Sequence, residues 1–150
     1  MRAAPFSPVI RFWYAPSVQP WRLRAANRHR AWLRLLWQRY AERAPLQRMD
    51  YVFVSSEEIA TLHGEFLGVA TPTDILTFDY GREAELYIAP AQVRRQAQRY
   101  QVDFAQELRR VLAHGLLHLA GWTDSTPDER RRMRRAENRC LKFWDRWRFT

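Results

Sequence analysis

The chain has 150 residues, of which 47% are hydrophobic, and these values predict one globular domain rather than a disordered chain. The formal net charge is +9, and every basic residue except Lys142 is Arg, whose planar guanidinium suits phosphate oxygens, so we expect a polyanionic partner such as nucleic acid. The single cysteine, Cys140, excludes a disulfide framework, and no apolar run is long enough for a signal peptide or a bilayer-spanning segment, which favours a cytoplasmic protein.

The first half of the chain alternates strand and helix signals. A β-branched and aromatic run indicates the first strand, and apolar residues at i, i+3, i+4 and i+7 indicate the helix that follows it. Ser55 and Glu58 have the spacing of a capping box, which opens a short helix. The predicted elements are a strand at 9–15, a helix at 27–43, a strand at 51–54 and the short helix that ends near Phe66.

The second half contains two strands and then three helices. Asp103 with Gln106, and Thr126 with Glu129, match capping boxes at the starts of the last two helices. The predicted strands cover 75–80 and 85–89, and the predicted helices run from Pro90 to about Tyr100, from Asp103 to the glycine at 121, and from Thr126 onwards. This order predicts an α+β fold: a single domain over 1–150 with a small mixed sheet of about four strands flanked by helices.

The stretch HGLLHLAGWTD, residues 114–124, has the pattern of a metal site. His114 and His118 are four residues apart, so on a helix their imidazoles lie one turn apart on the same face. Gly121 is suited to end the helix and to let the chain fold back, which returns Asp124 towards the two histidines. Two imidazoles and a carboxylate leave a fourth zinc position for water, as in a catalytic zinc site on a helix in the C-terminal half.

The same stretch constrains the reaction that such a metal could support. Zinc peptidases carry Glu directly after the first His as a general base, whereas this chain has Gly115, so peptide hydrolysis is disfavoured. A metal beside many arginines instead fits hydrolysis of a phosphodiester, because Arg can hold the phosphate while the metal polarises water. Histidines at this spacing also occur as ordinary core or surface residues, and Asp128 is the alternative third ligand.

These residues resemble the signature of the YbeY family of rRNA maturation factors, His-Gly-x-Leu-His-Leu-x-Gly-Tyr-Asp-His. The match covers His114, Gly115, Leu117 to Leu119 and Gly121, with Trp122 in place of the tyrosine. The upstream run Thr73-Asp74-Ile75-Leu76-Thr77-Phe78 resembles the family's Thr-Asp-Val-Leu-Ser-Phe strand. The order and length of the elements agree with the family across nearly the whole chain.

The resemblance implies a zinc-dependent endoribonuclease that prefers single-stranded RNA and acts in the cytoplasm. It implies one Zn²⁺ per chain, held by His114, His118 and Asp124, and metal-activated water that attacks an RNA phosphodiester. The implied role is maturation of the 16S rRNA 3′ end and ribosome quality control. The expected partners are the 16S rRNA precursor, the small ribosomal subunit and a ribosomal protein or assembly GTPase, with no membrane association and with a monomeric chain.

Three positions depart from the family pattern. The family's third ligand is usually His, and Asp124 would lower the net charge at the metal, so we expect a less acidic bound water. Many members carry an RNA-contacting Arg where this chain has Leu67, so Arg82 or a helix Arg would have to replace it. The family's Gly-Asp-Ile strand start is Ala84-Glu85-Leu86 here, which keeps the acid but lengthens it.

Further candidate residues each have a structural alternative. Arg82, Arg28 and Arg39 are candidate phosphate contacts, but surface arginines are commonly only solvated. Trp122 could stack on a base or pack over the end of the helix. The candidates for shaping the cleft are Thr73, Asp74, Glu85 and His63, of which Thr73 and Asp74 could equally serve as turn caps and His63 could be a helix-surface residue.

Two other functions compete with RNA hydrolysis. The main alternative is a ribosome-assembly factor that binds RNA and has weak or lost nuclease activity, which the absence of an Arg at Leu67 favours. The other is a basic RNA-binding module without a metal. Metal content and metal-dependent cleavage of single-stranded RNA separate the three.

Overall fold

The computed structural model describes residues 7–147. Their strands and α-helices, in chain order, are β1 (Val9–Tyr14), α1 (Ala26–Tyr40), β2 (Arg48–Phe53), α2 (Ser56–Leu67), β3 (Ile75–Asp79), β4 (Glu83–Ile88), α3 (Pro90–Tyr100), α4 (Phe104–Leu119) and α5 (Pro127–Arg146). A short 3-10 turn, Pro16–Val18, precedes α1. No helix within this range is long and apolar enough to cross a membrane.

The four strands form one sheet in the order β1-β2-β4-β3. β1, β2 and β4 are parallel, and β3 pairs antiparallel with β4 at one edge. A parallel pair needs a crossover connection, which α1 provides between β1 and β2. The predicted α+β fold with a small mixed sheet flanked by helices is therefore confirmed.

The main core lies between one face of the sheet and α1, α4 and α5. Strand residues Met49, Tyr51 and Leu86 meet the helix residues Trp32 and Leu116 there, all fully buried. On the other face, α2 covers a smaller apolar cluster, which consists of Val54, Ile59, Leu76 and Ala89 with partly buried neighbours. The predicted buried face of α1 is also confirmed, and its members are Leu33, Leu36, Trp37 and Tyr40.

Some predicted boundaries differ from the structure. β2 begins at Arg48 rather than 51, because Arg48 and Asp50 take part in the parallel ladder and pair with each other on the face opposite the main core. α1 ends at Tyr40 rather than 43, since Ala41 is already extended. The capping boxes at Ser55 and Thr126 are confirmed.

The capping box predicted at Asp103 is wrong. Asp103 does occupy the N-cap position of α4, but its side chain makes no capping hydrogen bond. The sequence pattern of a capping box gives the spacing of two side chains but not the rotamers that would close the hydrogen bonds. It therefore predicts more capping boxes than actually form.

Candidate metal centre

α4 lies very close to the sheet, and this closeness depends on Gly115. A Cβ atom at this position would lie 2.6 Å from Ile75 Cδ1 and 2.7 Å from Leu86 Cδ2. The absence of a side chain therefore lets the helix backbone approach β3 and β4. His114 and His118 lie beside this contact line, and 29% of each side chain remains exposed.

The chain reverses direction directly after α4. Gly121 has a φ of 110°, a left-handed conformation that L side chains rarely adopt. The backbone N–H of Trp122 then donates to the carbonyl of Leu117 at 3.0 Å, which closes the helix end. This reversal brings Asp124 back alongside the last two turns of α4.

His114, His118 and Asp124 lie together in the structure. Oδ2 of Asp124 is 3.2 Å from Nε2 of His118 and 3.7 Å from Nε2 of His114. One ligand atom from each of the three residues can be chosen so that all lie within 4.8 Å of one another. The imidazole rings are nearly perpendicular, with centroids 4.5 Å apart, so both Nε2 atoms can face one cation. Two imidazole nitrogens and a carboxylate oxygen are a donor set that suits zinc.

A buried carboxylate on α5 fixes the orientation of His114. Oε2 of Glu137 lies 2.7 Å from His114 Nδ1, and Glu137 is only 5% exposed. An Nδ1–H that donates to Glu137 leaves Nε2 unprotonated and directed at Asp124. Burial opposes protonation of His114, but the hydrogen bond and charge of Glu137, with the charges of Asp124 and Asp74, outweigh it and raise the pKa of His114 above 6.5.

Glu137 in turn belongs to a network that extends along α4. Nη1 of Arg110 lies 3.1 Å from Glu137 Oε1, and Arg110 also lies near Glu107. Gln96 on α3 donates to both Glu107 and Asp74, at 3.3 and 3.2 Å. Because burial of a carboxylate is costly unless hydrogen bonds and counter-charges compensate, these contacts hold Glu137 ionised against His114, and the pKa of Glu137 is lowered.

The loop that carries Asp124 is fixed at its far end by the start of α5. Thr126 and Glu129 form a reciprocal capping box, and the Glu129 carboxylate also accepts from the backbone N–H of Ser125. The guanidinium of Arg130 donates to the carbonyl of Ser125 at 3.1 Å. Asp124 is therefore held between the helix stop at Gly121 and the N-terminus of α5.

Two clefts, called the metal clefts below, reach the candidate ligands: the first contacts both histidines and the second contacts His114. The first, of about 500 Å³, runs along the edge strand β3 and is lined by Phe66, Leu67, Ile75, Leu76, Thr77, Phe78, His114 and His118. The second, of about 200 Å³, lies on the α3 and α5 side of His114, where it contains Asp74, Arg134 and Glu137. A substrate could thus reach the ligand atoms from the edge of the sheet, with charged groups on the opposite side.

The residues predicted to contact RNA lie in different surroundings. Arg28 packs 3.8 Å from the centre of the Trp144 ring and donates to the carbonyls of Trp144 and Trp147, so it joins α1 to α5. Arg39 is exposed and lines a groove between the same two helices. Arg82 is exposed in the turn between β3 and β4 and lines neither metal cleft.

Trp122 has a packing contact next to the loop that carries Asp124. Its indole N–H donates to the carbonyl of Tyr40 at 3.2 Å, and the two rings meet edge to face. The guanidinium of Arg132 lies 5.7 Å from the centre of the indole. These contacts correspond to the structural alternative for Trp122, although the side chain is only half buried.

Of the four predicted cleft-shaping residues, Asp74 alone lines a cleft shared with His114. Thr73 lies next to it and donates to its carboxylate. His63 hydrogen-bonds the carbonyl of Thr71 and lines neither metal cleft. Glu85 accepts from two tyrosines on the sheet face opposite α4, so the structure does not bring it to the cleft. The period of two along β4 puts Leu86, not Glu85, towards Gly115 on α4.

Sequence reasoning missed the charged groups that surround His114. Glu137, Arg110 and Arg134 were not identified, because their positions depend on how α5 packs against α4. One signal was present: Glu137 lies at helical spacing from Met133, Cys140 and Trp144, the predicted buried stripe of α5. A carboxylate on an otherwise apolar stripe requires partners, and here these include His114 and Arg110.

Comparisons with known proteins agree with the architecture and the motif. The protein-family model described as Endoribonuclease YbeY matches residues 21–145. Relatives named endoribonuclease YbeY include one from Chlorobium phaeovibrioides, 39% identical over 99 residues (63% of this chain and 67% of the relative), and one from Cytophaga hutchinsonii, 34% identical over 128 residues (82% and 88%). A solution structure of a Thermotoga maritima protein shares the fold, with a TM-score of 0.62 and 24% identity over 90% of this chain and 88% of that one. The predicted resemblance is therefore confirmed, and the chain belongs to the endoribonuclease YbeY family.

Proposed function

We propose that this chain is a zinc-dependent endoribonuclease that cleaves single-stranded RNA during maturation of the 16S rRNA 3′ end. The observation that carries the proposal is the convergence of His114, His118 and Asp124, with the Glu137 carboxylate 2.7 Å behind His114. Three protein ligands leave a coordination position for substrate or water, as a catalytic zinc site requires. When bound there, zinc would polarise both an attacking water and a phosphoryl oxygen.

The chain's own residues have separate tasks in this proposal. Glu137 keeps the Nε2 lone pair of His114 directed at the cation, and the loop after Gly121 holds the Asp124 carboxylate beside it. Arg134, whose guanidinium also lies 3.6 Å from Glu137, is the more exposed of the two arginines in the second cleft and therefore the better placed to bind a phosphate oxygen. It lines the same cleft as His114, and its side chain is 60% exposed.

The cleft along β3 is suited to unpaired bases. Phe66 is 61% exposed, and its ring contacts Phe78 edge to face at 5.3 Å. Aromatic faces stack on bases of any sequence, whereas a duplex would keep its bases stacked on each other. This arrangement supports the preference for single-stranded RNA.

A basic groove extends the surface that RNA could use. Arg39 lines it with Arg139, Lys142 and Arg146, between α1 and α5. Tyr40 also lines this groove, and its carbonyl accepts a hydrogen bond from Trp122, next to the loop that carries Asp124. We place the phosphate contacts of RNA beyond the scissile bond here, while Arg28 is engaged with carbonyl oxygens of α5. In this proposal the protein acts as a monomer in the cytoplasm, on the 16S precursor in the small subunit, with a ribosomal protein or assembly GTPase as partner.

One observation favours the alternative function of an RNA-binding assembly factor with little nuclease activity. The cleft along β3 carries Leu67, 61% exposed, where many relatives are expected to carry an Arg. Without that guanidinium, binding of the scissile phosphate would depend on the metal and on Arg134. Weak cleavage with intact RNA binding would support this alternative.

Metal-dependent cleavage tests the proposed function. Protein stripped with chelator should not cut a labelled single-stranded RNA, and addition of Zn²⁺ should restore cutting by wild type but not by His114→Ala or Asp124→Ala. Asp128→Ala is the matched control, because Asp128 is 85% exposed and lies outside the ligand group. Cleavage that is equal with and without metal, or that survives His114→Ala, would refute the proposal.

A further inference from the structure

A pocket at the other end of α4 from the histidines has no role in the chemistry described above. It has a volume of about 510 Å³ and lies between the segment before α1, the first turns of α4 and the end of α5. Phe104, in its wall, precedes His114 by ten residues, which corresponds to about 15 Å along a helix. The pocket is therefore separate from both metal clefts.

Four arginines surround this pocket, from three different parts of the chain: Arg22, Arg24, Arg94 and Arg109. Within residues 7–147, none of them has a carboxylate within 4.0 Å of its guanidinium, unlike Arg110 at the metal centre. The acids that act on Arg109 at longer range are Asp103 and Asp145. The pocket thus concentrates positive charge that the described part of the chain does not neutralise by direct contact.

Arg109 is the most deeply placed of the four. Its Nε atom is buried and has no hydrogen-bond partner among the described residues. Burial lowers its pKa, which reflects the cost of removing its charge from water. Its guanidinium lies 4.7 Å from the centre of the Trp144 ring. Arg109 is thus an incompletely satisfied cation in the pocket wall, and an anionic oxygen in the pocket would offset part of that cost.

The walls of the pocket are aromatic. Trp21 and Phe104 meet edge to face, and Arg94 lies 4.1 Å from the centre of the Phe104 ring. The pocket also borders the N-terminus of α1, where the N-cap Ala25 provides no side-chain acceptor for the first backbone N–H groups. Backbone N–H groups at a helix start favour a phosphate, and aromatic rings and guanidinium planes favour a base.

We propose that this pocket binds a nucleotide of single-stranded RNA, as an anchoring site distant from the cleaved bond. The phosphate contacts the arginines and the start of α1, and the base packs against the wall formed by Trp21 and Phe104. The proposal rests on the proposed function in one respect, namely that RNA is the polyanion. Its consequence is that long substrates bind more tightly than short ones, while the reaction at the metal centre is unchanged.

RNA binding without metal tests the pocket separately from catalysis. The probe is a fluorescein-labelled oligouridylate of about 12 nucleotides, within the range that single-strand binding sites cover, in buffer with EDTA. For Arg24→Glu/Arg94→Glu we expect affinity to fall about tenfold or more and the salt slope to become shallower by about 1.4, the value for two lost phosphate contacts. Both residues are exposed, so the fold should survive, and thermal melting checks this.

The matched control is Arg34→Glu/Arg135→Glu, which makes the same charge change at exposed residues outside this pocket and both metal clefts. Equal loss of RNA affinity in both double variants would overturn the proposal. Competition in which inorganic polyphosphate displaces the labelled RNA as effectively as unlabelled RNA does would also overturn it. A dinucleoside monophosphate has a single phosphate and cannot occupy the pocket and the proposed metal centre at once. Arg24→Glu/Arg94→Glu should therefore cleave it as wild type does. If wild type cleaves no RNA but the pocket variant alone loses binding, the pocket stands and the proposed nuclease function fails.

Discussion

Glu137 on α5 accepts a hydrogen bond of 2.7 Å from Nδ1 of His114 on α4, across 23 positions of sequence. This contact determines which ring nitrogen of His114 faces Asp124, and it places a negative charge behind the imidazole. Partners of this kind make a histidine a better metal ligand, because they orient the ring and increase its basicity. The contact ties the candidate metal centre to the packing of the last two helices.

Glu137→Gln should weaken the proposed zinc binding while leaving the three candidate ligands in place. The amide oxygen of Gln can still accept a hydrogen bond from Nδ1 of His114. The negative charge that makes the imidazole a better metal ligand is lost. We expect the dissociation constant for Zn²⁺ to rise about 10- to 100-fold, the usual range for such partners. Competition with a fluorescent chelator measures the constant.

Glu107→Gln is the control for that experiment. Glu107 is as buried as Glu137 and also lies near Arg110, but it makes no contact with His114. If Glu107→Gln reduced zinc affinity as much as Glu137→Gln, the loss would reflect the network as a whole rather than the orientation of His114.

Gly115→Ala should destabilise the fold, because the new Cβ would lie well inside contact distance of Ile75 and Leu86. Overpacking of this kind costs about 1–3 kcal/mol, which urea unfolding measures. The second substitution Ile75→Val removes the closer of the two methyl groups, so the double variant should recover part of the loss. A Gly115→Ala protein as stable as wild type would mean that α4 can move away from the sheet at little cost.

Local signals predicted that the three candidate ligands lie together, whereas their charged surroundings depend on long-range packing. His114, His118 and Asp124 could be placed from the sequence because helix periodicity and a glycine stop act within eleven residues. Glu137 could not, since its contact with His114 exists only when α5 lies against α4. A buried carboxylate on an apolar stripe shows that a partner is needed, but not which one.

The same distinction between local signals and long-range packing explains why the boundary of β2 was predicted incompletely. The hydrophobic run from Tyr51 identified the middle of β2, but Arg48 and Asp50 belong to it because the neighbouring strands β1 and β4 pair with them. Arg48, Asp50 and Arg11 satisfy one another on the face opposite the main core. The sequence of one strand does not reveal which strands are its neighbours. Polar residues such as Arg48 and Asp50 could therefore not be assigned to β2 from the sequence alone.

His29 should make the fold less stable in mild acid. Its side chain is buried beside Trp144, and burial is the main cause that lowers its pKa from 6.5 to about 4. The unfolded chain therefore binds a proton first as the pH falls, and the stability present above pH 6.5 decreases towards pH 4. The full shift corresponds to about 3 kcal/mol, of which about 2 kcal/mol should be lost by pH 5.

Comparison with His29→Gln isolates this contribution. The Gln amide can keep the hydrogen bond to the carbonyl of Ala25 but does not titrate in this range. The difference in unfolding free energy between wild type and variant, measured in urea at pH 7 and pH 5, removes the opposite contribution of His114, whose pKa is raised. A difference that stays constant between the two pH values would contradict the low pKa of His29.

Asp124→His should shift the pH dependence of RNA cleavage to lower values. The Asp124 carboxylate lies 3.2 Å from His118 Nε2, so it would cancel part of the charge of a bound cation, whereas a neutral imidazole would not. A greater net positive charge at the metal stabilises the hydroxide form of the attacking water. The variant should therefore reach half its maximal kcat at a lower pH than wild type. Asp128→His adds the same side chain outside the ligand group and should leave the profile unchanged. An unshifted profile for Asp124→His, with zinc bound in both proteins, would show that Asp124 contributes no charge at the reacting centre.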